Sequence, residues 1–249
     1  MLNRVLFFFT GLVFSMVSLT AQEADRTWMI GVNGAYQNTT GDWTDQFGDQ
    51  YAVGASFGWK TKRNWLFYAD WNFAFGGVVN EPEEILGPLI TANEQLLNLN
   101  GNYATVTLYQ RNTYASLNVN KVFSFWQINK NSGPSLGLGA GYLWHWIYID
   151  NAGNDSPQIN DDYARGYDRY SHGLFFRQEI GYLFMSRNRR FNFKLAYEFF
   201  QSFTEDQRGL NYTTGEFSED IQQNFGHGIK LTWYIPIYRG GKTEEYYYH

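Results

Sequence analysis

The chain has no cysteine, only five prolines in 249 residues and four histidines, and beyond its N-terminal stretch no run of 18 unbroken apolar residues. Without cysteine there is no disulfide framework, no thiol nucleophile, no thiolate metal site and no lipid-modified cysteine behind a leader. Without long apolar runs a bundle of transmembrane helices is excluded. What is plentiful is aromatic. With 9 Trp, 19 Tyr and 21 Phe, one residue in five carries a ring, about twice the usual share. Such a chain is too rich in apolar surface to remain disordered, and its length permits one all-β domain.

Residues 1–21 read as an export signal, with Arg4 in a short polar start, an apolar stretch from Val5 to Leu19, and Ala21 before Gln22. The stretch is short and interrupted by Thr10, Gly11 and Ser15, so it does not read as an anchor. The expected organisation is a signal over 1–21, a barrel over 22–238 and a periplasmic tail over 239–249. Without Arg4 the chain carries 18 basic and 24 acidic residues. That balance excludes nucleic acid as a partner.

From residue 27 onward apolar residues alternate with small or polar ones, a period of two that predicts strands. Eight are expected, over 27–39, 51–61, 65–78, 105–123, 135–149, 170–185, 190–203 and 222–238. Short connections at 62–64, 125–134 and 186–189 alternate with longer ones at 41–50, 79–104, 150–169 and 204–221. An even number of antiparallel strands with short turns at one end and long loops at the other predicts a transmembrane up-and-down β-barrel. Closure satisfies every backbone group inside lipid, which an open sheet cannot do.

Alternation also assigns the faces. In the third strand Trp65, Phe67, Trp71, Phe73 and Phe75 share one side, and Leu66, Tyr68, Asp70, Asn72 and Ala74 the other. The ring-rich side is expected to meet lipid, the reverse of a soluble barrel. The fifth strand sends Leu136, Leu138, Tyr142, Trp144 and Trp146 outward and stacks Gly137, Gly139 and Gly141 inside. The long connections hold 17 acidic residues against Arg165, Arg169 and Arg208, a balance of −14. Lys62, Arg63, Lys130, Arg187, Arg189, Arg190, Arg239 and Lys242 gather at the short-turn end.

By the same alternation Asp70, Arg177, Glu179, Lys194, Glu198 and Lys230 point into the lumen near mid-height. Three acids and three bases predict a neutral structural network that fills an eight-stranded interior, since unpaired buried ions would each cost several kcal/mol. An open pore is not expected. His145 is expected to face the lumen beside this network, and His172 and His227 to face outward near the outer interface. Ser171 and His172 fall on opposite sides of one strand, so they make no nucleophile–base pair, although His227 could meet a loop carboxylate such as Asp220. No catalytic residues, metal ligands or cofactors are assigned. The oxygen-rich stretch 150–168 lacks the spacing of an EF-hand loop. The apolar connection Glu81–Tyr103 is expected to prolong the barrel as a hairpin turning at Asn100–Gly101, or to dock on a partner.

The runs Asp162–Gly173, Ser186–Phe193 and Tyr197–Arg208, with a leader ending in Ala-Gln and an aromatic tail, resemble a family of small outer-membrane barrels in Bacteroidota. The resemblance covers most of the mature chain and is strongest over 134–238. It implies an outer-membrane barrel and carries over no catalytic residue. In size and architecture the chain is also similar to the small barrels associated with type IX secretion and other outer-membrane machines. The expectation is a non-enzymatic structural or accessory subunit in contact with outer-membrane lipid and a protein partner. A lipid A-modifying enzyme, a surface adhesin and a narrow channel are the alternatives.

Overall fold

The computed structural model describes residues 26–41, 43–44, 47–77, 79–80, 82–91, 93, 95–153, 155–186, 191–217 and 221–237. The expected signal, the tail, Asp220 and the basic residues Arg187, Arg189, Arg190, Arg239 and Lys242 lie outside them.

Eight strands form a closed antiparallel barrel in sequence order: β1 (Thr27–Gly41), β2 (Gln50–Lys60), β3 (Trp65–Gly76), β4 (Val106–Val122), β5 (Gly133–Asn151), β6 (Ser171–Met185), β7 (Asn192–Asp206) and β8 (Gln222–Ile237). β1 closes the ring on β8, with Trp28 opposite Ile237 and Gly41 opposite Asn224. The shortest strand has 11 residues and the longest 19, enough for a tilted strand to cross the apolar band of a bilayer. The chain is therefore an eight-stranded transmembrane β-barrel of up-and-down topology, filled by its own side chains.

Burial follows the two-residue period around the whole ring. In β3, Leu66, Tyr68, Asp70, Asn72 and Ala74 are buried, while Trp71 is 57% exposed. Leu117 on β4 and Ile180 on β6 are 73% and 61% exposed. A water-soluble barrel would hide these side chains and display Asp70 and Asn72. Here the apolar band girdles the outside and the ions are inside.

The interior has three storeys. Met29, Leu66, Val122, Leu183, Met185 and Tyr234 close the short-turn end. Polar and charged side chains occupy the middle. Trp43, Phe47, Leu143, Ile147, Phe175 and Phe200 close the long-loop end. Trp43 and Phe47 come from the β1–β2 connection, which folds into the mouth, with Trp43 fully buried.

The β3–β4 connection corrects one expectation. The chain does turn at Asn100–Gly101, where Gly101 takes φ +76, and Leu97 bridges Tyr103. This small hairpin does not prolong β3 and β4. A short helix α1 (Pro82–Ile85) and a 3-10 turn at Gly87–Leu89 lead the segment across the mouth, where Ile85, Leu86 and Leu96 are buried with Ile159 and Tyr167 of the β5–β6 connection. Apolar area removed from water favours that lid over two exposed strands standing above the membrane. The β4–β5 connection is also longer at its core than a tight turn. Its latter part caps the short-turn mouth, since Asn129 Nδ2 and Ser132 Oγ both donate to the Met185 carbonyl.

Candidate functional site

The middle storey gathers all six ions picked out by alternation. Asp70 comes from β3, Arg177 and Glu179 from β6, Lys194 and Glu198 from β7, and Lys230 from β8. Arg177 is the hub. Its guanidinium lies 2.6 Å from Asp70, 3.4 Å from Glu198 and 3.7 Å from Glu179, with its side chain wholly shielded. Lys194 pairs with Glu179 at 2.6 Å and Lys230 with Asp70 at 2.5 Å.

The register explains why two bases surround the acids of β6 and β7. Glu179 and Glu198 are direct cross-strand partners on the inner face. Like charges in that relation repel. Arg177 and Lys194 compensate the two carboxylates and Lys230 compensates Asp70, so the six formal charges sum to zero.

Neutral groups complete the shell. The Tyr68 hydroxyl donates to Glu179 at 2.7 Å and accepts from Lys194 Nζ at 3.0 Å. Asn120 Nδ2 donates to Glu179 at 2.9 Å, and Asn72 Nδ2 donates to Asp70 at 2.7 Å. Gln37 Nε2 donates to Glu198 at 2.5 Å and to the Tyr114 hydroxyl at 3.1 Å. On the loop side Gln50 links Gln37 to Gln110 and Asn112. Charge is balanced throughout, and most ionic atoms are hydrogen-bonded; Arg177 Nε and Glu179 Oε1, 3.7 Å apart, face each other without a hydrogen bond among the described residues.

Gly137 and Gly139 make the network possible. A Cβ at either position would sit 2.0 Å from the amide oxygen of Asn120 or Asn118. Gly137 lies between Asn120 on β4 and Glu179 on β6, and Gly139 between Asn118 and Arg177. Bare backbone on β5 thus lets amides of β4 reach ions of β6.

His145 faces inward but stands apart from the ions. It is buried among Trp43 and Phe47, with ring centroids at 5.3 and 6.0 Å, and shares one hydrogen bond with Thr204 at 3.3 Å. Its Nδ1 and the Trp43 indole N–H have no hydrogen-bond partner among the described residues.

His172 and His227 face outward. Each is held by a tyrosine: Tyr142 Oη and His172 Nδ1 are 2.5 Å apart, and Tyr197 Oη and His227 Nδ1 are 2.9 Å apart. Both pairs sit diagonally across a hairpin, with His172 opposite Trp144 and His227 opposite Phe199. Ser171 is buried on the other side of β6 and donates to the Arg169 carbonyl at 3.1 Å. Near His227 a loop carboxylate is present in Asp49. It accepts from Tyr36 Oη at 2.5 Å and Asn38 Nδ2 at 2.8 Å, and the Tyr36 hydrogen bond, followed by that of Asn38, holds its pKa below the ordinary aspartate value. A hydroxyl nucleophile bonded to a base and an orienting carboxylate, the arrangement that acyl transfer needs, is not assembled among the described residues. Nor do three or more His, Cys, Asp or Glu side chains converge on a metal position among them.

Not singled out from the sequence were Tyr114, Gln37 and Asn118 in the shell, Lys60 at the short-turn end of β2, and Trp43 and Phe47 in the plug; Tyr68 was placed inward, but its part in the network was not. The inward period of β4, which reads Gln110, Asn112, Tyr114, Ser116, Asn118 and Asn120, was the available signal.

No family model and no curated protein matches this chain. Solved structures that are similar to it include Neisserial surface protein A, at 7% identity over 84% of this chain and 99% of that one, with a TM-score of 0.44. The attachment invasion locus protein Ail of Yersinia pestis is 8% identical over 85% of this chain and 99% of that one, with a TM-score of 0.42. A major outer membrane protein from Thermus thermophilus is 11% identical over 85% of this chain and all of that one, also at 0.42. Likeness at this level has no functional content.

Proposed function

We propose that this chain is an integral protein of a bacterial outer membrane that neither conducts nor catalyses, and that it serves as a structural or accessory subunit of an outer-membrane assembly. The carrying observation is the filled lumen: a neutral six-ion network between two apolar plugs, with loop residues Trp43 and Phe47 seated in the outer mouth. Such an interior supports rigidity and opposes a water path. On this reading residues 1–21 are removed on export, the acidic long-loop crown faces outward, and residues 239–249 hang in the periplasm for docking. The Bacteroidota lineage and a place in a secretion, assembly or uptake machine belong to the same proposal.

The paired outer histidines do not favour a lipid A-modifying enzyme, because each Tyr–His pair lacks a bonded carboxylate and a separate nucleophile. Chemical crosslinking in intact cells followed by pulldown in mild detergent tests the proposal. A stable protein partner that remains with the tagged barrel is expected. A barrel that is alone under all conditions, or one that gives single-channel steps in a planar bilayer, overturns it.

A further inference from the structure

A groove of about 590 Å³ opens on the outside of the barrel, on the opposite face of the wall from the lumen network. Thr113 on β4 lines its floor, with Trp71 of β3 on one side and Trp144 and Trp146 of β5 on the other. The outward row of β4 accounts for it. Thr113 stands opposite Phe73 and Trp144, and Ala115 opposite Trp71 and Tyr142. A row of small side chains between two rows of rings leaves a slot. At the long-loop end the slot is closed by Tyr170 and by Asp168 with Arg208, which pair through two hydrogen bonds of 2.9 and 2.5 Å. Arg208 also lies 4.9 Å over the Tyr170 ring, so the β5–β6 and β7–β8 connections are clamped together there.

A cation stands beside this slot. Arg111 is the cross-strand partner of Trp146. Its guanidinium lies 5.1 Å from the Tyr109 ring and 5.6 Å from the Tyr148 ring, and donates to the Gln110 carbonyl at 2.8 Å. It pairs with no carboxylate among the described residues, although the long connections hold 17 acids. A guanidinium on a lipid-facing wall has unspent donors in a fork that matches phosphate.

From the tryptophan-walled slot and the adjoining unpaired guanidinium, the geometry points to a lateral binding site for a phosphorylated, acylated lipid of the outer leaflet. Its chain lies over Thr113 between Trp71 and Trp144, and its phosphate meets Arg111. The slot is shallow and open towards the bilayer, so a lipid chain can enter it sideways; its long walls are apolar and its polar groups, Asp168 with Arg208, gather at the long-loop end. This inference rests on the membrane reading and is independent of any protein partner.

The test is native mass spectrometry of the full-length protein extracted from its own outer membranes in mild detergent, compared with Thr113→Trp, Thr113→Leu, Arg111→Gln and, as a control on the same outward row, Leu117→Trp. A heat-dependent gel shift reports folding of each. The wild type and Leu117→Trp are expected to retain one phosphorylated lipid per barrel, and the two Thr113 variants to retain less, by about fivefold or more for Trp. In nanodiscs that contain phosphorylated and dephosphorylated forms of the lipid, Arg111→Gln is expected to lose the preference for the phosphorylated form. Lipid retained equally by a folded Thr113 variant, no lipid on the wild type, or an unchanged preference in Arg111→Gln overturns the site. A barrel that proves soluble without detergent would overturn the membrane reading itself.

Discussion

Asn118 Oδ1 accepts a hydrogen bond of 2.7 Å from the Arg177 guanidinium, although the two residues lie on β4 and β6 with β5 between them. The bond passes over Gly139. A side chain there would push Asn118 away and take from the buried guanidinium one of the three acceptors, with Asp70 and Ser116, that its Nη2 protons share. Gly139→Val is therefore expected to lower stability by about 1.5–3 kcal/mol, the worth of a hydrogen bond to a charged group. Urea unfolding of the barrel in liposomes measures it. Gly77, whose Cβ would meet nothing within 4 Å, provides the comparison as Gly77→Ala, and equal midpoints for the two variants would refute the account.

Arg177 answers three carboxylates, so its removal strands more charge than it takes away. Arg177→Met is expected to cost about 3–5 kcal/mol, the usual penalty for breaking a buried pair from one side. Arg177→Lys should restore only part of this, because an ammonium cannot offer the planar fork that spans Asp70, Glu198 and the Asn118 amide. If neutralising Glu198 as Gln in the Arg177→Met background, which returns the network to zero charge and leaves Lys230 its Asp70 partner, brings back much of the loss, stranded charge is the cause. If the losses simply add, it is not.

The strands and the inward ions were legible because a two-residue period records which wall a side chain occupies, and closure fixes the rest. Asp70 and Lys230 could each be placed in the lumen from their own strands. Their pairing could not be read, since β3 and β8 approach each other only across the closed interior. Trp43 and Phe47 were hidden for a different reason. A loop carries no period, and its burial depends on a mouth formed by other connections and strands. The Tyr142–His172 and Tyr197–His227 pairs needed the diagonal offset of two hairpins, which the lengths of the intervening loops do not reveal. The groove over Thr113 was written in the sequence as small residues on β4, but only the register sets them beside Trp71 and Trp144.

Trp43 is fully buried, and its indole packs edge-on against Phe47, His145 and Phe200 at 6.3, 5.3 and 6.3 Å. Trp43→Gly is expected to open a vestibule that water enters as far as Gln37 and Tyr114, and to stop there. Planar-bilayer recordings should stay silent, whereas accessibility of a cysteine placed at Ser202, buried in the same half of the lumen, should rise. Combining Trp43→Gly with Glu198→Gln, which removes one charge of the middle storey, should carry the accessibility deeper but still pass no ions, because Met29, Leu66 and Leu183 close the short-turn end. Steady conductance in either variant would mean that neither the ion layer nor the short-turn apolar storey seals the lumen.

Asp49 ties the β1–β2 connection to the outer wall through Tyr36 and Asn38, and those hydrogen bonds depress its pKa. A carboxyl whose folded value lies below its unfolded value, about 3.9, contributes its full stabilisation at neutral pH and loses it as pH falls through the folded value. The contribution is small and local, because Asp49 lies near solvent and screening weakens it. Hydrogen exchange at the Phe47 amide, which donates to the Trp43 carbonyl at 2.6 Å, is the sensitive readout. Protection there, corrected for the intrinsic pH dependence of exchange, is expected to be flat from pH 7 to about 5 and to fall below about pH 4, while protection in β1 and β8 stays unchanged. Asp49→Asn should show the weakened protection already at about pH 7 and no further fall in acid. If that variant keeps the wild-type acid response, another group loosens the loop, and the mouth is held by its apolar plug alone.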